Sequence, residues 1–268
     1  MTYRQPAFML DNALAAATNV ATEVLPFNSY NAINAVRRKI IDGRQGGVAS
    51  WVAALANAGW RIDTQSTPTT ELNRFVMPEG HTGFISETLR IYHSQFSDFS
   101  PATQVANLTA TTNAIVDLTL SSGTQRYWAF QVSTASLDEV FSCGGFWVGV
   151  YQQLTTAAAV QPQFSNGWVD QVLETEFPSG IASIELASPR RTFSLEVRDV
   201  DPASSDYALL DQVMQARGRS FWYWPPDTTD AGPYLVRLSK RSERRQEFAA
   251  PSIGLRYRMS FEFVEDKL

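Results

Sequence analysis

The chain has one cysteine, Cys143, and two histidines, His81 and His93. A lone cysteine forms no intrachain disulfide, and with so few imidazoles it cannot complete a cysteine-rich zinc or iron–sulfur site. No metal and no cofactor are therefore expected. Charge is scarce too, with 18% charged residues against about 25% in an ordinary soluble domain. The net charge of −5 argues against a partner held by long-range attraction to phosphate, so specific nucleic-acid binding is not expected. Long apolar runs are missing as well. No stretch approaches the roughly 18 residues that a bilayer crossing needs, and the N-terminus lacks a charged start followed by a secretory apolar run. The expectation is a soluble, non-secreted protein without a membrane partner. What is present is 268 residues, 44% of them apolar, enough for a sizeable core and, at about 150 residues per domain, for two domains.

Basic residues are distributed unevenly. Tyr127 to Pro189 contains no Lys or Arg but holds Asp138, Glu139, Asp170, Glu174, Glu176 and Glu185. Arg190 to Arg258 carries twelve basic and nine acidic residues. An acidic band followed by a basic one suits a subunit that stacks on copies of itself or on neighbours, because complementary potentials fix register and orientation. Composition noise on a folded surface gives the same pattern.

In the first half, the Ala-rich stretch Leu10 to Ala21 and the segment Val48 to Ala58 read as short helices, the latter from Val48, Trp51, Val52 and Leu55 ahead of Gly59. The period then changes to two. Trp60 and Ile62, Leu89 and Ile91, the series Ala114, Val116, Leu118 and Leu120, and the series Trp128, Phe130 and Val132 each alternate with other residues. Successive side chains of a strand point to opposite faces, so these runs predict half-buried antiparallel strands in a sandwich or jelly roll.

The second half reads as mostly β with one helix. Phe193, Leu195 and Val197 mark a strand, whereas Pro178 and Gly180 interrupt the weaker strand text from Phe177 to Leu186. A helix near 204–217 follows, with Ser204 or Ser205 as cap, Tyr207, Leu210, Val213 and Met214 as its stripe, and Gly218 as its stop. Strand text continues at Ser220 to Trp224, at Tyr234 to Leu238, and in a last strand with Tyr257, Met259, Phe261 and Phe263 on one face. The fold class expected is mainly β, with two β-sandwich-like domains over 1–135 and 136–268, the second carrying the helix. The linker is placed near Ser133 to Asp138, without a flexible tether, and no repeat or heptad series supports a solenoid or coiled coil.

Catalytic chemistry is mostly missing. Neither His81 nor His93 belongs to a nucleophile, zinc or phosphate motif. His81, in the turn text Pro78 to Gly83, reads as a locally hydrogen-bonded loop histidine or as a ligand contact. Asp170, Glu174 and Glu176 beside Trp168 and Phe164 have the residue types of a glycosidase, but spacing alone places no two carboxyls across a cleft, and a solvated acidic face has the same sequence. Cys143 beside Gly144 reads as a small core residue or a reactive thiol. The chain is not expected to be an enzyme. The most individual feature is the run Phe221, Trp222, Tyr223 and Trp224, with Phe221 and Tyr223 on one face and the two tryptophans on the other. With Arg237, Lys240, Arg241, Arg244 and Arg245 it forms the candidate interface, to a second domain or a second subunit; a nucleic-acid stacking platform is the alternative.

The ordered set from Arg191 to Val197, through the helix ending Gln215, Ala216, Arg217 and Gly218, the strand Phe221 to Trp224 with Pro225 and Pro226, Tyr234 to Leu238, and Tyr257 to Glu262 resembles distal or minor tail proteins of long-tailed bacteriophages. The first half, through Asn19 to Ala21, Trp60 to Asp63, Arg74 to His81 and Leu89 to Ser94, is similar to discoidin or galactose-binding sandwiches, without a recognisable calcium loop. The first resemblance implies a virion protein, assembled in the bacterial cytoplasm, that self-associates into a closed ring between tail tube protein and tip hub protein around the tape measure protein. The second implies a module that contacts host glycan or a neighbouring subunit. Glycan cleavage by the acidic band is a third reading.

Overall fold

The structure, a computed structural model, describes residues 4–13, 19–21, 49–52, 57–64, 71–79, 81, 88–97, 101–109, 112, 114–123, 125–133, 140–143, 146–155, 163–176, 182–226, 232–239, 242–248 and 254–266. One compact unit is discontinuous, made of Met1–Leu10 and Gln152–Lys267, and the other is Asp11–Tyr151. The boundary expected near 135 thus falls inside the second of these units. The cause is a strand near the N-terminus, β1 (Ala7–Met9), that pairs with strands more than 140 residues away.

The inserted unit Asp11–Tyr151 contains β2 (Asn19–Ala21), β3 (Ala49–Val52), β4 (Asn57–Asp63), β5 (Leu72–Met77), β6 (Thr88–Ser94), β7 (Thr103–Thr109), β8 (Val116–Gly123), β9 (Tyr127–Ser133), β10 (Val140–Cys143) and β11 (Trp147–Gly149). They form a five-stranded sheet in the order β2-β4-β9-β6-β7, a three-stranded sheet in the order β11-β5-β8, and the pair β10-β3. Phe75 of the three-stranded sheet and Phe130 of the five-stranded sheet lie 5.8 Å apart between ring centroids, and Phe146 lies 5.6 and 5.0 Å from them. All three rings are fully buried, so the two sheets pack face to face as a sandwich. The helix expected over Val48 to Ala58 is corrected to strands at both its ends, β3 and β4. Valine and tryptophan at helical spacing also suit a pleated surface, and pairing of β3 with β10 decides the outcome. Of the stretch Leu10 to Ala21, Asn19–Ala21 is strand rather than helix, and residues 14–18 lie outside the described residues.

The discontinuous unit adds β12 (Gln152–Gln153), β13 (Gln163–Glu176), β14 (Ala182–Val200), the helix α1 (Ser205–Gln215), β15 (Ser220–Trp224), β16 (Tyr234–Leu238), β17 (Glu243–Phe248) and β18 (Leu255–Glu265). Its sheet runs β12-β1-β15-β16-β18-β14-β13, with β17 also paired to β18. Register explains the core. Phe193 stands opposite Phe263, Leu195 opposite Phe261, Val197 opposite Met259, Phe221 opposite Val236 and Phe8 opposite Tyr223. All ten belong to one buried cluster on one face of the sheet, and Leu209, Leu210 and Val213 of α1 join it. Each such apolar side chain contributes roughly 1.5–3 kcal/mol on burial. Ser204 caps α1 by accepting from the Tyr207 N–H at 3.1 Å. Gly218 ends the helix region at φ +79, where a Cβ would be strained.

Candidate functional site

The five-stranded sheet of the inserted unit has two unlike faces. Leu89, Ile91, Trp128 and Phe130 are buried on the inner one. His93 is buried with them, its ring 5.6 Å from Trp128 and edge-on to it. Alternation turns Arg90, Tyr92, Tyr127, Ala129 and Gln131 to the other face. There Arg90 stands opposite Gln131, Tyr92 opposite Ala129, and Ser94 opposite Tyr127. Ala129 is fully buried, and the partly buried Tyr92 and Tyr127 pack against it. A small residue at this point makes the floor on which two aromatic side chains rest.

The surroundings of this shelf are polar. The Arg126 guanidinium carbon lies 5.2 Å from the Tyr127 ring centroid. The Arg126 carbonyl accepts the backbone N–H of Thr64 at 3.1 Å and its hydroxyl at 2.9 Å, which fixes the chain where β9 begins. On the far side, Asn107 stands opposite Arg90 and Gln104 opposite Tyr92. Residues three apart share a face of a strand only across an irregularity, and the register shifts between Ile91 and Tyr92. The bulge sends Val105 into the core and leaves Gln104 and Asn107 exposed. Arg90 has no ion-pair partner among the described residues. Two partly buried tyrosine rings bordered by amide and guanidinium groups combine apolar area with hydrogen-bond donors, the requirements of a ligand with one apolar face and many hydroxyls.

The three-stranded sheet carries a second polar cluster. The Arg74 guanidinium donates to the Asp117 carboxylate at 2.5 and 2.7 Å and to the Thr119 hydroxyl at 2.5 Å, and lies 4.9 Å from the Tyr151 ring centroid. Its fork is occupied by these partners, which makes it a cross-strand fastening.

The residues singled out from sequence fall elsewhere. Phe221, Trp222, Tyr223 and Trp224, expected as part of an interface to a second domain or a second subunit, are at most 2% exposed within this chain. Phe221 and Tyr223 belong to the core cluster beneath α1, and alternation along β15 turns the tryptophans to the opposite face of the sheet. The Tyr223 hydroxyl is buried without a hydrogen-bond partner among the described residues, and desolvation pushes its pKa up, so it stays neutral. Arg237, Arg244 and Arg245 are exposed; Lys240 and Arg241 lie outside the described residues. Arg244 donates to Asp211 at 2.7 Å and to the Tyr207 hydroxyl at 2.8 Å, and Arg245 pairs with Glu243 at 3.0 Å.

His81 is fully buried with Nε2 2.9 Å from the Ala114 carbonyl, the locally bonded alternative of its two readings. Burial holds the pKa of His81 below 6.5, against the opposing effect of that carbonyl, and burial lowers His93 as well. The backbone places Asp170, Glu174 and Glu176 on β13, in the other unit, and Cys143 on β10. Among the described residues, no group of three or more His, Cys, Asp or Glu is arranged to hold a metal, and no helix is long and apolar enough to cross a membrane. The Tyr92–Tyr127 shelf was not singled out in the sequence, although both strands were; the available signal was arginine and tyrosine on the outward positions of Leu89 to Tyr92.

No family model and no curated protein matches the sequence. Among solved structures, the chain is similar to chitosan-binding module 1 of a chitosanase/glucanase from Paenibacillus sp. IK-5, at 17% identity over 52% of this chain and 99% of that one, with a TM-score of 0.40. It is similar to the family 32 carbohydrate-binding module of Streptococcus pneumoniae EndoD, at 13% identity over 52% and 98%, TM-score 0.37. A family 32 module from Clostridium perfringens, in complex with GalNAc-β-1,3-galactose, is similar at 13% identity over 42% and 83%, TM-score 0.35.

Proposed function

We propose that this chain binds carbohydrate through the outer face of its inserted unit, with the discontinuous unit as the scaffold that carries it. The observation behind this reading is the shelf of Tyr92 and Tyr127 over Ala129, bordered by Arg90, Gln131, Gln104 and Asn107. Pyranose rings present an apolar face that stacks on tyrosine and an equatorial rim of hydroxyls that amide and guanidinium groups bind in pairs. The organisation of the chain supports the same reading. Phe8 before the insert stands opposite Gln152 after it, so the insert is a module set between two neighbouring strands. Its likeness to carbohydrate-binding modules agrees with this reading without carrying it. A glycan array probed with the full chain and with the double variant Y92A/Y127A tests the proposal. Signal on a defined set of glycans that the variant loses supports it; wild-type silence, or signal that survives both substitutions, sinks it.

A second reading, compatible with the first, is that the scaffold is a structural virion subunit of a phage tail tip. What favours it is that the elements from Arg191 to Glu262 that prompted the tail-protein resemblance are contiguous in one sheet, as β15-β16-β18-β14 with α1 packed on its face. Electron microscopy of particles carrying a labelled copy of this chain tests it, and absence of label from particles would contradict it.

A further inference from the structure

On the outer face of the five-stranded sheet, Arg90 is partly buried, and its guanidinium has neither an ion-pair nor a hydrogen-bond partner among the described residues. Register shows why. Its partners across β9 and β7 are Gln131 and Asn107, and the next positions on its own face of β6 are Thr88 and Tyr92. All of these are uncharged, and the Thr88 hydroxyl is already bonded to that of Thr109 at 3.1 Å. Among the described strand positions of this face, the one acid is Asp63, opposite Tyr127. From Tyr127 to Gln131, which faces Arg90, the strand advances about 13 Å. Arg61 is the neighbouring position on that face of β4, so Asp63 is balanced locally and Arg90 remains as excess positive charge. Arg126, over the Tyr127 ring, also belongs to the far end.

The chemistry of a guanidinium says what such a group lacks. It presents N–H donors in a planar fork, accepts nothing and stays charged at any physiological pH. Sugar hydroxyls can take up some of the donors, but they leave the charge uncompensated. A carboxylate accepts a parallel pair of N–H bonds and cancels the charge as well. Tyr92 lies roughly 7 Å along the same face of the strand, so a pyranose resting on that ring carries a carboxylate at its rim toward Arg90. The Gln131 and Asn107 amides on either side can donate to the lone pairs that remain.

Resting on the carbohydrate reading of this face, we propose that the ligand is an acidic glycan, with its carboxylate bound by Arg90 while its ring lies on Tyr92 and Tyr127. Uronic and sialic acids both carry that group. The net charge of −5 gives an anion no long-range attraction, so the preference rests on a short-range pair at one residue.

The test is a glycan array, followed by calorimetry, in which each uronic-acid and sialic-acid glycan is paired with its methyl ester, which keeps the ring and removes the charge. The wild-type chain should bind the acid about tenfold or more tightly than the ester, and the ratio should fall toward unity as salt rises from about 0.05 to 1 M. R90Q should collapse the ratio, and R90K should retain only part of it, because an ammonium keeps the charge without the fork. Y92A/Y127A should lose both forms. A ratio confined to the uronic or to the sialic arm supports the proposal and identifies the acid. The wild-type ratio is read without any variant having to fold. Equal binding of acid and ester, or a ratio that R90Q leaves intact, overturns this inference while the carbohydrate reading stands; silence on every glycan overturns both.

Discussion

Asn73 brackets the backbone of Tyr151: its side-chain oxygen accepts the Tyr151 N–H at 2.7 Å and its amide donates to the Tyr151 carbonyl at 3.4 Å. Tyr151 is the last residue of the inserted unit. At the other end, Asn12 donates to the Phe146 carbonyl at 2.9 Å and accepts from the Val148 N–H at 3.2 Å. Two asparagines thus close the module around its own ends. Replacing Asn73 by alanine leaves the two backbone groups without that partner, and N73A should destabilise the inserted unit by about 1–2 kcal/mol. Urea denaturation followed by tryptophan fluorescence measures this, with N12A expected to behave alike.

In the scaffold, Asp206 is 3% exposed and accepts the Thr155 N–H at 2.9 Å and the Thr155 hydroxyl at 2.7 Å. This joins the first turn of α1 to the chain just after β12. D206A removes two charge-assisted bonds from Thr155, an exposed residue whose N–H and hydroxyl water can reach, for an expected loss of about 1–3 kcal/mol. D206N keeps one acceptor and should lose less. Thermal melts of the two variants, read by circular dichroism, test that order.

Both histidines are buried in the inserted unit and held neutral by desolvation. Their folded pKa values lie below those of the unfolded chain, so below about pH 6.5 the unfolded state takes up the protons first. Stability is fully present above the unfolded value and is lost as pH falls through it toward the folded one. The denaturation midpoint of the inserted unit should therefore drop between pH 7.5 and pH 5. H93F should flatten that drop, because phenylalanine preserves the ring beside Trp128 and removes the proton site. An equally steep drop in H93F would show that His93 does not contribute.

Much of this fold was legible, for identifiable reasons. The last strand has Met259, Phe261 and Phe263 at period two, and all three are buried as that period requires. Ser204 and Gly218 bracket the helix because a cap and a left-handed stop are local chemistry. The insertion was not legible. Ala7–Met9 is too short to show a period, and only pairing with Gln152–Gln153 and Trp222–Trp224 reveals that it belongs to the distant unit. What lies against the aromatic run was not legible for a related reason. Alternation sorts Phe221 and Tyr223 from Trp222 and Trp224, but it cannot tell a face open to solvent from a face that is covered. The Tyr92–Tyr127 shelf depends on which strands are neighbours, and β6 meets β9 across some 30 residues of intervening chain.

The central claim is that the outer face of the five-stranded sheet receives the ligand. Its most direct test is a backbone-amide NMR titration of the full chain with a glycan that scores on the array. The account predicts shifts concentrated at Arg90, Tyr92, Tyr127 and Gln131, saturating at one concentration for all four. Shifts confined to the turn around His81, or to the three-stranded sheet around Arg74, with those four residues unmoved, would contradict it.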